Sequence, residues 1–266
     1  SSDLEPAQSG LRYAWQRGAI QQPRVALGFH TPGALSADSR TLEVLASILG
    51  TGRSSRFNQV LRDEKSVITS GDASLAAYRS MGMFEIDLQT PMPAEAAAAA
   101  LSELENIKKF GVTGEALARA KGALARDYYS RLETVDGVGD DLAYYESLGD
   151  WKLGLKQLAD LQNVTAQQIV EAVNRYAKPE NLSVFEYVPQ AMERHLDPAA
   201  YSRELLGLVA PDSERRAEEE LPVAAAPIPG QTTGLVAELA PAIQRRSILR
   251  GPDVYVLEDH RLPLVS

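Results

Sequence analysis

The stretch Met81-Gly-Met-Phe-Glu-Ile-Asp-Leu-Gln-Thr90 runs almost directly into Pro93-Ala-Glu-Ala-Ala-Ala-Ala-Ala100, and the change of period between them decides the fold class. In the first, Phe84, Ile86 and Leu88 alternate with Glu85, Asp87 and Gln89, the period of two that belongs to a strand with one buried and one wet face. In the second, an alanine run has the strongest intrinsic helix preference, Pro93 falls in the first turn, where no hydrogen bond is lost, and Gly111 marks the stop. A half-wet strand needs a partner layer for its apolar face. Strand followed by helix therefore predicts an α/β domain of two layers (α+β), with an antiparallel-rich sheet packed by helices.

Working backwards from Met81, residues 67–77 read as a strand paired with 81–90 around Tyr78-Arg-Ser80. Earlier still, Ser36 caps a helix with Leu42, Leu45 and Leu49 at helical spacing, which stops at Gly50-Thr-Gly52. A second short helix, capped by Ser54 or Ser55, turns Phe57, Val60 and Leu61 inward. Two extended segments, 11–17 and 24–31, open the domain, and Val25, Leu27 and Phe29 alternate in the second.

Working forwards, Thr113 starts a helix with Leu117, Ala120, Leu124 and Leu132 on one stripe. Further helices are expected near 138–147, 154–161 and 165–177. The last of them carries Ile169, Val170, Val173 and Tyr176 on one side, and Pro179-Glu-Asn then leads into a strand over 182–187. The domain closes near Pro189. One short helix is expected within 190–210, while 211–241 is rich in Pro, Ala, Glu and Gly and reads as a linker. A strand is expected over 253–258.

The 266 residues carry 27 basic and 36 acidic side chains, a formal net charge of −9, 44% hydrophobic residues and no cysteine. An acidic surface lacks the clustered cations that phosphate binding requires, so a nucleic-acid partner is not expected. Without cysteine there is no disulfide, no thiolate nucleophile and no Cys-ligated zinc, although this does not fix a compartment. No run approaches the roughly 20 apolar residues of a membrane span.

The segments Gly52-Arg-Ser-Ser-Arg-Phe57 with Leu61-Arg-Asp-Glu-Lys65, Thr113-Gly-Glu-Ala-Leu117 with Ala120-Lys121, Gly149-Asp150, Asn163-Val-Thr165 with Val173 and Tyr176, and Pro179-Glu-Asn-Leu182 before a strand ending in Val188-Pro189 stand in a fixed order over about 180 residues. In that order residues 11–188 resemble the carboxy-terminal half-unit of the pitrilysin/insulinase zinc peptidases, the family that also contains mitochondrial processing peptidase. The resemblance implies a ββαββααα-like half-unit of the LuxS/MPP-like metallohydrolase fold. In such proteins two units, each of two halves, close around a peptide or unfolded protein. Residues 247–266, with Val254-Tyr-Val-Leu-Glu258 and Leu262-Pro263, resemble the opening strand of a following half-unit, cut short. The expected organisation is a disordered start over 1–10, an inactive half-unit over 11–188, a helix plus linker over 189–246, and a truncated first strand of the next unit over 247–266, so the chain reads as a piece of a longer peptidase.

In the family the zinc is held by His-x-x-Glu-His and a distant Glu, with the motif Glu taking the proton of a metal-bound water. The only histidines here are His30, His195 and His260, far apart in sequence, so neither catalytic nor metal-binding residues are expected in this chain, and no cofactor; zinc belongs to the parent protein. Family members that use an Arg and a Tyr on this half to bind substrate have no counterpart here. The matching strand, Met83 to Thr90, has no Arg, and the helix opening Pro93-Ala-Glu95 has no Tyr. Substrate-binding residues are therefore unassigned, and Tyr78 and Arg79 read as hairpin-turn residues. Asp136-Gly-Val-Gly-Asp-Asp141 lacks EF-hand spacing and reads as a helix start. Gly50-Thr-Gly-Arg-Ser-Ser55 lacks a Walker lysine and follows a helix where a strand would be needed, and Ser54 and Ser55 have no identifiable His-Asp partners. Trp15, Trp151, Tyr128, Tyr129, Tyr144 and Tyr145 are expected in the core rather than along a peptide groove.

The expected function is that of a non-catalytic substrate-chamber domain of a zinc-dependent metalloendopeptidase acting on peptides or unfolded proteins, with the other half-units of the same chain as partners. The chain alone is not expected to be an enzyme. The alternative is a proteolytically inert structural or assembly subunit of the same fold. A periplasmic location is implied by the resemblance alone.

Overall fold

The alternation at Phe84, Ile86 and Leu88 recurs on neighbouring strands, and registering these strands side by side builds one five-stranded sheet. The computed structural model describes residues 8–192, 197–214, 243–247 and 253–257. Its strands are β1 (Arg12–Gly18), β2 (Arg24–Pro32), β3 (Ser70–Ala77), β4 (Met81–Gln89) and β5 (Leu182–Pro189), in the spatial order β1-β5-β2-β4-β3. Only the β1–β5 pair is parallel; β2–β5, β2–β4 and β3–β4 are antiparallel. The first two strands of the chain are thus not neighbours, because β5 lies between them. Their connection through Gly18 and Pro23 spans one strand.

The registers set one continuous buried face. Leu27 lies opposite both Ile86 and Val184, and Phe29 lies opposite Phe84 and Leu182, all nearly or fully excluded from water. Helices α1 (Ala37–Gly50), α2 (Pro93–Phe110), α3 (Gly114–Leu132), α4 (Val135–Leu148), α5 (Gly154–Gln162) and α6 (Ala166–Tyr176) follow in the expected order, and α7 (Pro198–Leu208) comes after β5. Their starts are the ones the sequence marks. Ser36 accepts the Asp38 N–H, Thr113 accepts that of Ala116, and Thr165 and Gln168 close a reciprocal capping box, each satisfying a donor that the first turn leaves orphaned. Gly111 ends α2 at φ 72°, a conformation that favours glycine.

α2 is buried on nearly every side: Ala96 to Leu101, Leu104 and Ile107 are all packed away from solvent. Small methyl side chains let it lie close to its neighbours, and this, more than helix propensity alone, gives the alanine run its place. Gly50 serves the same purpose at the end of α1. A Cβ there would stand 2.3 Å from the backbone nitrogen of Ala73, so the bare glycine lets the helix end press against the edge strand β3.

Two segments add to the sequence reading. The short helix expected after Gly52 is present over Phe57–Glu64 with Phe57, Val60 and Leu61 turned inward, and its geometry is that of a π-helix. The strand Asp253–Leu257 (β7) pairs antiparallel with Ile243–Ser247 (β6), a strand that begins inside the stretch read as linker. The expected disordered start falls almost wholly outside the described residues, as do residues 215–242.

Candidate functional site

The sheet has a second face, and no described helix covers it. Alternate residues project there: Ala14 and Gln16 from β1, Phe185 and Tyr187 from β5, Ala26, Gly28 and His30 from β2, Met83, Glu85 and Asp87 from β4, and Asp72 and Ser74 from β3. Phe185 and Met83 are each 40% exposed, which is high for large apolar side chains in the middle of a sheet. Gly28 leaves space beneath Met83, whose Sδ would come within 3.3 Å of an added Cβ. The face is therefore shallow and apolar at its centre.

Its outer end is acidic. Asp72 lies directly opposite Asp87, and Glu85 is two residues along the same strand. Like charges facing each other across an antiparallel pair repel. Partial burial, and then the Asp87 charge, push the Glu85 carboxyl above its ordinary range. Asp87 is pushed up by burial first and by Asp72 second, with Arg24 pulling the other way. A cation laid over this end would relieve the repulsion.

On the helix side, two cavities of about 400 and 360 Å³ flank the side chains of Arg40 and Tyr145. Arg40 donates to Glu43 at 2.7 Å and to the Tyr145 hydroxyl at 3.2 Å. Burial works against its charge, but Glu43 and Tyr145 outweigh that and hold its pKa up. Burial foremost pushes the Tyr145 phenol up, with Arg40 opposing and Asp141 and Glu43 assisting, so it stays protonated at neutral pH. Burial likewise raises Asp141. These groups offer polar contacts but no nucleophile paired with a base.

The residues singled out from sequence are dispersed. His30 lies on the open sheet face with its carbonyl accepting from Asn181 at 2.9 Å, while His195 and His260 fall outside the described residues. Tyr78 and Arg79 form the β3–β4 turn, where the Tyr78 N–H donates to Met81 at 2.8 Å and the Arg79 carbonyl closely approaches Gly33. Ser55 is buried and accepts the Asn58 N–H, while Arg56 holds the N-cap position of the Phe57–Glu64 helix without a side-chain cap, so neither Ser54 nor Ser55 caps it in the expected way. Asp136 to Asp141 lie inside α4, capped by Thr134, and Gly137 is required because a Cβ would meet the Arg131 carbonyl at 2.0 Å.

The aromatic residues divide. Tyr128 and Tyr145 are core, whereas Tyr144 is 40% exposed and donates to the Ala77 carbonyl at 2.9 Å. Trp15 is half-buried, with the Arg17 guanidinium over its ring. Sequence reasoning missed the Arg40–Glu43–Tyr145 cluster. Arg40 and Glu43 are readable as a helical i, i+3 pair, but nothing local signals Tyr145, more than 100 residues away.

Among the described residues, no group of three or more His, Cys, Asp or Glu is arranged to hold a metal ion, and no helix is long and apolar enough to cross a membrane.

Comparison with known proteins gives a consistent result. Residues 3–124 match the family model of the peptidase M16 inactive domain. A protease from Helicobacter pylori superposes with a TM-score of 0.65 at 24% identity, over 69% of this chain and 46% of that one. The inactive peptidase domain of a Bordetella parapertussis protein assigned as a zinc protease superposes with a TM-score of 0.59 at 21% identity, over 68% of this chain and 97% of that domain. The first half of the periplasmic protease PqqL from Escherichia coli superposes with a TM-score of 0.62 at 15% identity, over 81% of this chain and 49% of that half. The chain thus spans about half the length of the Helicobacter protease but nearly all of the Bordetella domain. None of the curated proteins compared with the sequence matches it.

Proposed function

We propose that the chain, whose residues 3–124 match the family model of the peptidase M16 inactive domain, is the non-catalytic substrate-chamber half of a zinc metalloendopeptidase, facing peptide or unfolded protein with the open side of its sheet. The observation that carries the reading is that face: five strands wide, apolar at Phe185 and Met83, acidic at Asp72, Glu85 and Asp87, and free of any described helix. An uncovered sheet of this width is a surface for another body. Zinc and the activating glutamate would come from a zinc-bearing half of the parent protein. The chain's own contribution is to hold an extended substrate, favouring cationic side chains over its acidic end. A periplasmic location fits the PqqL likeness and is part of the same proposal.

The test uses the parent polypeptide and this chain side by side. The parent should cleave a fluorescence-quenched peptide in the presence of zinc, and the isolated chain should not. Asp72→Lys with Asp87→Lys in the parent should raise KM for a lysine-rich peptide several-fold and leave a neutral peptide unaffected. Hydrolysis by the isolated chain refutes the reading. A parent that neither contains His-x-x-Glu-His nor cleaves any peptide favours the alternative, an inert assembly subunit of the same fold.

A further inference from the structure

The polar side of α2 is occupied by this chain's own backbone. Ser102, Asn106 and Lys109 stand at i, i+4 and i+7, one stripe along the helix. Each takes hold of the segment that follows α7. The Ala210 N–H donates to Ser102 Oγ at 3.0 Å, and that hydroxyl donates in turn to the Ala98 carbonyl. The Asp212 N–H donates to Asn106 Oδ1 at 2.7 Å, and Asn106 Nδ2 returns a bond to Asp212 Oδ2 at 3.1 Å. Lys109 Nζ donates to the carbonyls of Asp212 and Ser213 at 3.0 and 3.3 Å. Three side chains thus secure the backbone at 210, 212 and 213, an arrangement more specific than packing alone.

The helix before this segment is anchored to the core through two side chains. α7 lies against β1 and α2, and of its eleven residues only Tyr201 and Leu205 are fully buried. Tyr201 stacks on Tyr13 with ring centroids 3.6 Å apart and an interplanar angle of 11°. No strand of the sheet depends on α7, since β1 pairs with β5 over its whole length.

We propose that residues 209–214 form a clasp, read by the Ser102-Asn106-Lys109 stripe, that sets where the chain leaves the domain, and that α7 and the clasp dock and release together while the sheet stays folded. Release uncovers Tyr13, whose hydroxyl donates to the fully buried Glu186 carboxyl, and with it the helix-side face of β1. The device is a cooperative unit of low local stability placed on a rigid frame.

Hydrogen exchange followed by mass spectrometry on the whole chain tests this. Ala210→Pro removes the donor to Ser102 without touching α2, and the extended backbone of Val209 accepts a following proline. Ser102→Ala removes the acceptor instead. In both variants amides of α7 should exchange roughly tenfold faster, the effect of one lost hydrogen bond on a local opening, while amides of β2 and β4 keep their wild-type rates. Unchanged exchange in α7 in either variant overturns the proposal. So does acceleration by one common factor across α7 and the sheet, because the segment would then be an inseparable part of the global fold.

Discussion

Replacing Gly50 by alanine should destabilise the domain, although the same change in most helices does the opposite. The backbone term favours alanine by about 0.5–1 kcal/mol, since glycine loses more conformational freedom on folding. Against it stands a Cβ that would lie 2.3 Å from the Ala73 nitrogen and 2.9 Å from both the Asp72 carbonyl carbon and its Oδ1. Reaching even a tight 3.0 Å contact needs a shift of about 0.7 Å between α1 and β3, and the obstacle is backbone that cannot rotate aside. Overpacking of this kind costs about 1–3 kcal/mol, leaving a net loss centred on about 1 kcal/mol and at most about 2.5 kcal/mol. Gly139 is the matched control. It lies exposed within α4 with nothing within 4 Å of its would-be Cβ, so Gly139→Ala should gain about 0.5–1 kcal/mol. Urea denaturation followed by circular dichroism should move the midpoint down by roughly 0.5 M for the first variant and up for the second. If Gly50→Ala is as stable as the wild type or more so, the close approach of α1 to β3 is not what requires the glycine.

Three further outcomes are expected. Tyr13→Phe removes a donor from the buried Glu186 carboxyl and should cost about 1.5–3 kcal/mol, read as a lower denaturation midpoint; a neutral effect would mean that the 3.0 Å bond carries no stability. Asp87 has a folded-state pKa above its ordinary value, so its penalty is absent below the usual carboxylate range, grows as pH rises through the shifted value and is complete at neutral pH. Asp87→Asn should therefore raise the midpoint at pH 7 and leave it unchanged near pH 3, and equal gains at both would show that charge is not the cause. Finally, the chain dialysed after exposure to zinc should retain no stoichiometric metal by elemental analysis; one tightly held ion lost on replacing His30, His195 or His260 would refute this.

What could be read in advance followed the range of the interactions involved. The strands at Val25 to Phe29 and Phe84 to Leu88, the helix starts at Ser36 and Thr113 and the stop at Gly111 are each decided within a few residues, and all were legible. The π geometry of Phe57–Glu64 was not, because Phe57, Val60 and Leu61 turn inward under either helical spacing. The insertion of β5 between β1 and β2 was hidden because alternation specifies a face but not a neighbour. The Arg40–Tyr145 contact and the clasp on α2 join residues more than 100 positions apart, and no local pattern announces such pairs. The open sheet face was half legible: alternation at Glu85 and Asp87 marked it as wet, but the Asp72–Asp87 opposition became visible only once the register was known.

The position of β5 also bears on how the protein is made. This strand is inner in the sheet but last of the five in the chain, and it supplies the only described strand partner of β1 and one of the two partners of β2. A ribosome adding about 5–20 residues per second needs roughly ten to thirty seconds between finishing β2 and delivering β5. Once β4 has been made, the nascent chain holds β2, β4 and β3 as a three-stranded sheet whose β2 edge is raw, while β1 waits without its described strand partner. Closure of the sheet is thus a single late event of high sequence separation, which makes this domain slow to complete and dependent on protection of that edge during synthesis.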